Sequence, residues 1–166
     1  MFRKICLLLA VLAMLGTAFT GSQVMARTFY SSQQIGDMYV TYDLPPGVTA
    51  RDEYSGGIPY VSLMDSYNGS SCVHYLFATA SMGRIVDYIR AFASEVRVQT
   101  VNEVRQGNMF ILEGYNRQRG EFVQFDGRVY PDANFSEVAV YAMPMNNKTA
   151  HRRLMNVVKS MDFRRR

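Results

Sequence analysis

Apolar positions recur along this chain in two periods, and the change from one to the other marks its elements. Met38 to Tyr42 (MYVTY) is rich in β-forming residues and is stopped by Pro45-Pro46-Gly47. Val48 to Tyr54 reads as a second short strand, ended by Ser55-Gly56-Gly57, and Tyr60 to Asp65 (YVSLMD) as a third. The Asn68-Gly69 pair predicts a tight hairpin turn, because both residues accept the positive φ angles such a turn requires. Ser71 to Thr79 is apolar on both faces, the pattern of a central strand covered on each side.

At Ser81 the period lengthens. Met82, Ile85, Val86, Ile89, Phe92 and Ala93 fall at helical spacing, which predicts a helix from Met82 to about Glu95 with Ser81 as its cap. Strand patterns return over Val98 to Arg105 and Met109 to Tyr115, around a turn at Gln106-Gly107-Asn108. A turn at Arg117 to Gly120 leads into Glu121 to Tyr130, a segment expected to break at Asp126-Gly127. Ser136 to Tyr141 alternates, and a last helix begins at Asn147 or Thr149 and runs to about Ser160 on Leu154, Val157, Val158 and Met161. Antiparallel meanders with one helix mid-chain and one at the C-terminus make an α+β fold: an antiparallel sheet flanked by helices.

The front of the chain speaks of location. Arg3 and Lys4 precede a run from Cys6 to Phe19 that is almost wholly apolar, and Val24-Met25-Ala26 offers the small residues that signal peptidase accepts. Fourteen residues are short for a helix crossing a bilayer core, which needs about 20. Residues 1–26 therefore read as a cleaved signal, 27–36 as a flexible polar leader, 37–163 as one α+β domain and 164–166 as a basic tail. Without Arg3 and Lys4 the bases exceed the 14 acids by only two, so the mature chain is close to neutral. Cleavage also removes Cys6 and leaves Cys72 alone, so no disulfide forms within the mature chain. An exported, periplasmic or secreted bacterial protein is expected, with no membrane span after cleavage.

The order of elements is similar to that of the PsbP-like superfamily, which includes the bacterial DcrB-like and the Mog-like proteins. An early strand runs into a proline turn (MYVTYDLPPGV), and a hairpin and helix lead to a strand ending in glycine (MFILEGY). Further strands follow (EFVQF and EVAVYAMP), and a terminal helix closes on Ser160 to Phe163 (NVVKSMDF). Where a tryptophan usually follows the proline turn, this chain has Gly47-Val48. The resemblance implies an antiparallel sheet flanked by helices and a binding or accessory role without catalysis, and it carries over no catalytic residue and no cofactor.

Three chemistries are open to the residues themselves. Cys72 and His74 stand i, i+2 on a strand and share a face, so the imidazole could lower the thiol pKa and create a nucleophile. The same face continues in Leu76 and Ala78, which instead reads as core, where free cysteine is commonly found. Met143-Pro144-Met145 offers two soft thioethers of the kind that hold Cu(I), although methionine also fills irregular cores. From Lys148 onward, seven bases face only Asp162, a strip suited to an anionic surface or an acidic partner, with Arg152 and Arg153 at its centre. Tyr60, Tyr67 and Tyr115, at strand ends and turns, offer aromatic contact area for a partner.

No phosphate-cradling glycine loop and no nucleophile–base–acid order stands in the sequence. The adjacent Asp52 and Glu53 face opposite ways on a strand. Nucleic acid is not an expected partner, since no basic and aromatic interleaving supports it. The reading is a non-catalytic exported accessory protein that acts on another envelope protein or an anionic envelope surface. Methionine-based copper binding and thiol chemistry at Cys72 stand as alternatives.

Overall fold

The computed structural model describes residues 27–55 and 57–165; the expected signal at 1–26 lies outside the described residues. Among the described residues, ten strands form two antiparallel sheets. A seven-stranded sheet has the order β3-β4-β5-β9-β8-β7-β6, from β3 (Val48–Ser55), β4 (Ile58–Asp65), β5 (Ser70–Phe77), β6 (Gln99–Gln106), β7 (Met109–Asn116), β8 (Glu121–Tyr130) and β9 (Phe135–Pro144). A three-stranded sheet has the order β1-β2-β10, from β1 (Arg27–Ile35), β2 (Met38–Leu44) and β10 (Asp162–Arg165). With helix α1 (Met82–Glu95) and helix α2 (Arg152–Lys159), this is the expected α+β fold, with one helix mid-chain and one near the C-terminus. No helix among the described residues is long and apolar enough to cross a membrane.

The large sheet has a core on each face. On one, α1 lays Ile85, Val86, Ile89 and Ala93 onto Phe110, Leu112, Val123, Phe125 and Val138. Ser81 caps this helix as expected, accepting from the Arg84 N–H, and Arg97 ends it at φ 58°. On the other face, Val40, Tyr42 and Leu44 of the small sheet, together with Leu154, Val157 and Val158 of α2, cover Val61, Leu63, Cys72, Tyr141 and Met143.

Five expectations change. The segment 27–36 is not a flexible leader: residues 27–35 form β1, paired with β2 from Arg27↔Leu44 to Ile35↔Met38. Its polar sequence is held by a bulge between Tyr30 and Gln34, where the Asp52 carboxylate accepts from the Ser31 hydroxyl (2.6 Å) and the Ser32 N–H (2.7 Å). The basic tail is likewise a strand as far as Arg165, since β10 pairs with β2 from Asp162↔Thr41 to Arg165↔Met38 and Phe163 packs on the core.

The third correction concerns β8, which runs unbroken past Asp126-Gly127. Gly127 sits there because α1 lies against the strand: a Cβ would stand 2.5 Å from Ile85 Cγ2 and 2.8 Å from Ile89 Cδ1. Fourth, the β4–β5 turn spans four residues rather than two. Asp65 builds it, taking the Tyr67 N–H (3.0 Å) and Asn68 Nδ2 (2.9 Å) on its carboxylate, and only Gly69 adopts a positive φ, +63°. Fifth, α2 starts at Arg152, later than Asn147 or Thr149, after a turn closed by the Asn147 and Ala150 N–H groups.

Candidate functional site

On the α2 side of the large sheet, β8 presents Gln124, Asp126, Arg128 and Tyr130, while β9 presents Phe135, Glu137, Ala139 and Tyr141. Register sets Arg128 directly opposite Glu137 and Asp126 opposite Ala139, whose small side chain leaves room beside the carboxyl. The helix and the strand after it form the opposite wall with Met155, Val158, Lys159, Met161 and Phe163. Between them lies a cleft of about 370 Å³, with charge on its floor and apolar groups on its wall.

Both carboxylates of the floor are held inside the fold, at 7% exposure for Asp126 and 6% for Glu137. Glu137 anchors a buried polar chain. Its Oε2 lies 3.1 Å from His74 Nε2, its Oε1 accepts from the Tyr130 hydroxyl at 2.8 Å, and Tyr42 closes the far end at 2.8 Å from His74 Nδ1. Asp126 Oδ1 accepts from Gln124 Nε2 at 2.8 Å.

The two environments push the carboxyls in opposite directions. Burial is the largest influence on each and raises both. For Glu137, the hydrogen bond and charge of His74, then Tyr130 and Arg128, outweigh burial and bring the carboxyl below its ordinary value. For Asp126, the Gln124 bond and the charges of Arg128 and His151 do not, so its carboxyl stays raised. Burial, then the charge and hydrogen bond of Glu137, pushes the Tyr130 phenol up to about 12. Glu137 is thus an anion with both oxygens engaged, and Asp126 is a carboxyl whose charge burial disfavours, beside open space.

The residues singled out from sequence do not converge on this cleft. Cys72 and His74 share a face as expected, but Cys72 is 2% exposed and His74 is fully buried. Both ring nitrogens of His74 are turned to Tyr42 and Glu137, so the imidazole does not serve the thiol. Burial first, then the Asp126 charge, raises the Cys72 thiol well above its ordinary value, the opposite of an activated nucleophile. Alkylation of the folded protein is expected to leave Cys72 unmodified, with full labelling after denaturation, as read by intact mass. Labelling of the native state would restore the thiol reading.

Met143 lies in the core at 1% exposure, whereas Met145 sits on the following turn at 41%, so the pair does not present a shared thioether site. Arg152 is exposed at the start of α2. Arg153 is spent within the chain. It lies 3.4 Å from the Asp65 carboxylate, donates to the Pro46 carbonyl and stacks over the Tyr67 ring, 4.8 Å from its centroid. Tyr67 in turn covers Gly47, where a Cβ would meet its ring at 2.7 Å. Arg153 and Tyr67 thus pin α2 to two turns.

Tyr115 lies on the α2 side, where Lys148 donates to its hydroxyl and stands 4.8 Å from its ring centroid. Tyr60 belongs to the opposite face, packed 5.2 Å from the Tyr75 ring. Its hydroxyl donates to Glu53 at 2.8 Å, and this bond pushes the phenol up to about 12. Sequence reasoning missed Asp126, Arg128 and Glu137. The signal was there: Glu137 heads the otherwise apolar run of β9, and the charges in Asp126-Gly127-Arg128 interrupt β8 without a turn forming.

The chain matches no protein-family model, and no curated protein matches it in sequence. Among solved structures it is similar to a protein of Bacteroides thetaiotaomicron (10% identity, TM-score 0.49), aligned over 86% of this chain and 50% of that one. The chain thus spans about half the length of the Bacteroides protein. It is also similar to the Ran-binding protein Mog1p of Saccharomyces cerevisiae (11% identity, TM-score 0.48) and to a point mutant of Mog1 (11%, 0.47). Each of these aligns over 82% of this chain and 95% of its own. These are likenesses of shape alone.

Proposed function

We propose that this protein is a non-catalytic binding module of the bacterial cell envelope, exported by its first 26 residues, and that it holds another envelope protein in the cleft beside α2. One observation carries the reading: the Asp126 carboxyl is held nine-tenths buried at the floor of an open cleft whose other wall is mostly apolar. Burying a carboxyl costs stability, and a fold that does so beside open space is a candidate for recognition. Arg128 and Lys159 add positive charge to the same cleft, so it suits a chain segment carrying both charged and apolar side chains.

Site-specific photo-cross-linking in intact cells tests this. A photoreactive residue replacing Met155, on the cleft wall, is expected to give an adduct of one discrete mass. The same probe replacing the exposed Tyr54, on β3, should not give it, and adding Lys159→Glu to the Met155 probe should remove it. Identical adducts from both positions, or none from the cleft, would refute the proposal.

A further inference from the structure

The seven-stranded sheet ends in β6, and all eight residues of that strand are exposed. Val101 and Val104 stand 55% and 42% open, and no described element covers the outer side of the strand. The opposite edge differs, because β1 reaches over β3 and Asp52 ties the two together. Long exposed edge strands template the addition of another strand, and proteins commonly blunt them. Here the blunting is confined to one end, an irregularity between Thr100 and Asn102, which leaves Asn102 to Gln106 regular.

The backbone of this stretch faces outward at defined positions. A two-residue turn joins β6 to β7, so Gln106↔Met109 is a hydrogen-bonded pair and the pairs then alternate. Gln106, Val104 and Asn102 direct their N–H and C=O groups to β7, while Arg105 and Glu103 direct theirs away from the sheet. The side chains sort in step: Glu103 and Arg105 lie opposite Leu112 and Phe110 on the α1 face, and Val104 lies opposite Ile111 on the other.

These positions are self-complementary. We infer that β6 pairs antiparallel with β6 of a second copy of this chain, about a two-fold axis at Val104. In that register Glu103 of each copy meets Arg105 of the other on the same face, at the pairs where both backbones present outward groups. Val104 meets Val104 at the close, non-hydrogen-bonded pair on the axis, and Asn102 meets Gln106. Arg105 has no ionic partner among the described residues, and Glu103 pairs with Arg90 while its side chain stays 35% exposed. Moving the axis by one residue, to Glu103 or to Arg105, would set that charge opposite its own copy. Five residues a strand is a small contact, so the pairing is a reversible one that dissociates on dilution. It does not depend on what the cleft binds.

The test is disulfide trapping. Val104→Cys places a thiol on the proposed axis, where the paired Cβ atoms of a non-hydrogen-bonded pair come close enough to be bridged. Mild oxidation of Val104→Cys is expected to give a covalent dimer at least ten times faster than Thr100→Cys, with Cys72 sealed in the core in both. Sedimentation of the unmodified sequence should show a concentration-dependent dimer. Glu103→Arg alone or Arg105→Glu alone should weaken it about tenfold, and mixing these two variants should restore it. A monomer at all concentrations, or equal trapping rates at the two positions, would overturn the inference, as would a dimer indifferent to both charge reversals.

Discussion

Glu137→Ala is expected to lower the stability of the fold by several kcal/mol at pH 7, since each buried polar group left without its partner costs about 1–3 kcal/mol. The substitution strands His74, which is fully buried and would keep only Tyr42, and it leaves the Tyr130 hydroxyl without its acceptor. Against a total of about 5–15 kcal/mol for a domain, that is a large fraction. The pH dependence carries a sign. The Glu137 carboxyl lies below its ordinary value in the folded state, so its contribution is complete above the ordinary carboxyl range and is lost as pH falls through the lowered value. The gap between Glu137→Ala and the unmodified protein should therefore narrow in acid. Urea unfolding at a series of pH values measures it.

The second large effect is at Gly114. A Cβ there would stand 2.4 Å from the Gln99 carbonyl oxygen and 2.5 Å from Val98 Cγ1. The obstruction is the backbone of Gln99, the first residue of β6, which cannot turn aside as a side chain can. Gly114→Val is expected to cost about 3 kcal/mol, at the upper end for overpacking, and to loosen β6 before the rest of the sheet. Gly127→Ala offers the contrast, since it meets side-chain methyls of Ile85 and Ile89 rather than backbone and should cost less than Gly114→Val, about 1–2 kcal/mol. Thermal melts rank the two, and hydrogen exchange along β6 separates local opening from global loss. Equal melting temperatures for Gly114→Val and Gly127→Ala would contradict this packing account.

Much of the fold could be read from the chain because its signals are local. The stripe of α1 matched its observed bounds, and the glycine turns at Gly107 and Gly120 separate the strands they were expected to separate. The larger failures share one cause, which is that distant partners decided the outcome. The segment 27–35 looked like a leader because its own residues are polar, yet Asp52, far along the chain, gives its bulge a partner. Asp126-Gly127 looked like a break because the helix that demands a glycine there comes from some 40 residues earlier in the chain. The cleft suffered most. Its floor is made by cross-strand register, Arg128 against Glu137, which no spacing within one strand reveals. The basic strip read as a surface also changes meaning, because Arg153 and Lys148 are engaged with Tyr67 and Tyr115 of the chain itself.

The central claim is that the cleft is kept for recognition at a cost to the fold, and Asp126→Asn addresses it most directly. The Asp126 carboxyl is raised by burial, so its charge opposes folding at neutral pH, and that opposition disappears as pH falls and the group takes up a proton. The amide keeps an oxygen to accept from Gln124 and removes the buried charge. The account predicts that Asp126→Asn raises the melting temperature at pH 7, that the gain fades toward the ordinary carboxyl range, and that the cleft cross-link from the Met155 position is lost. A variant that is less stable at pH 7 and still cross-links from that position would contradict it.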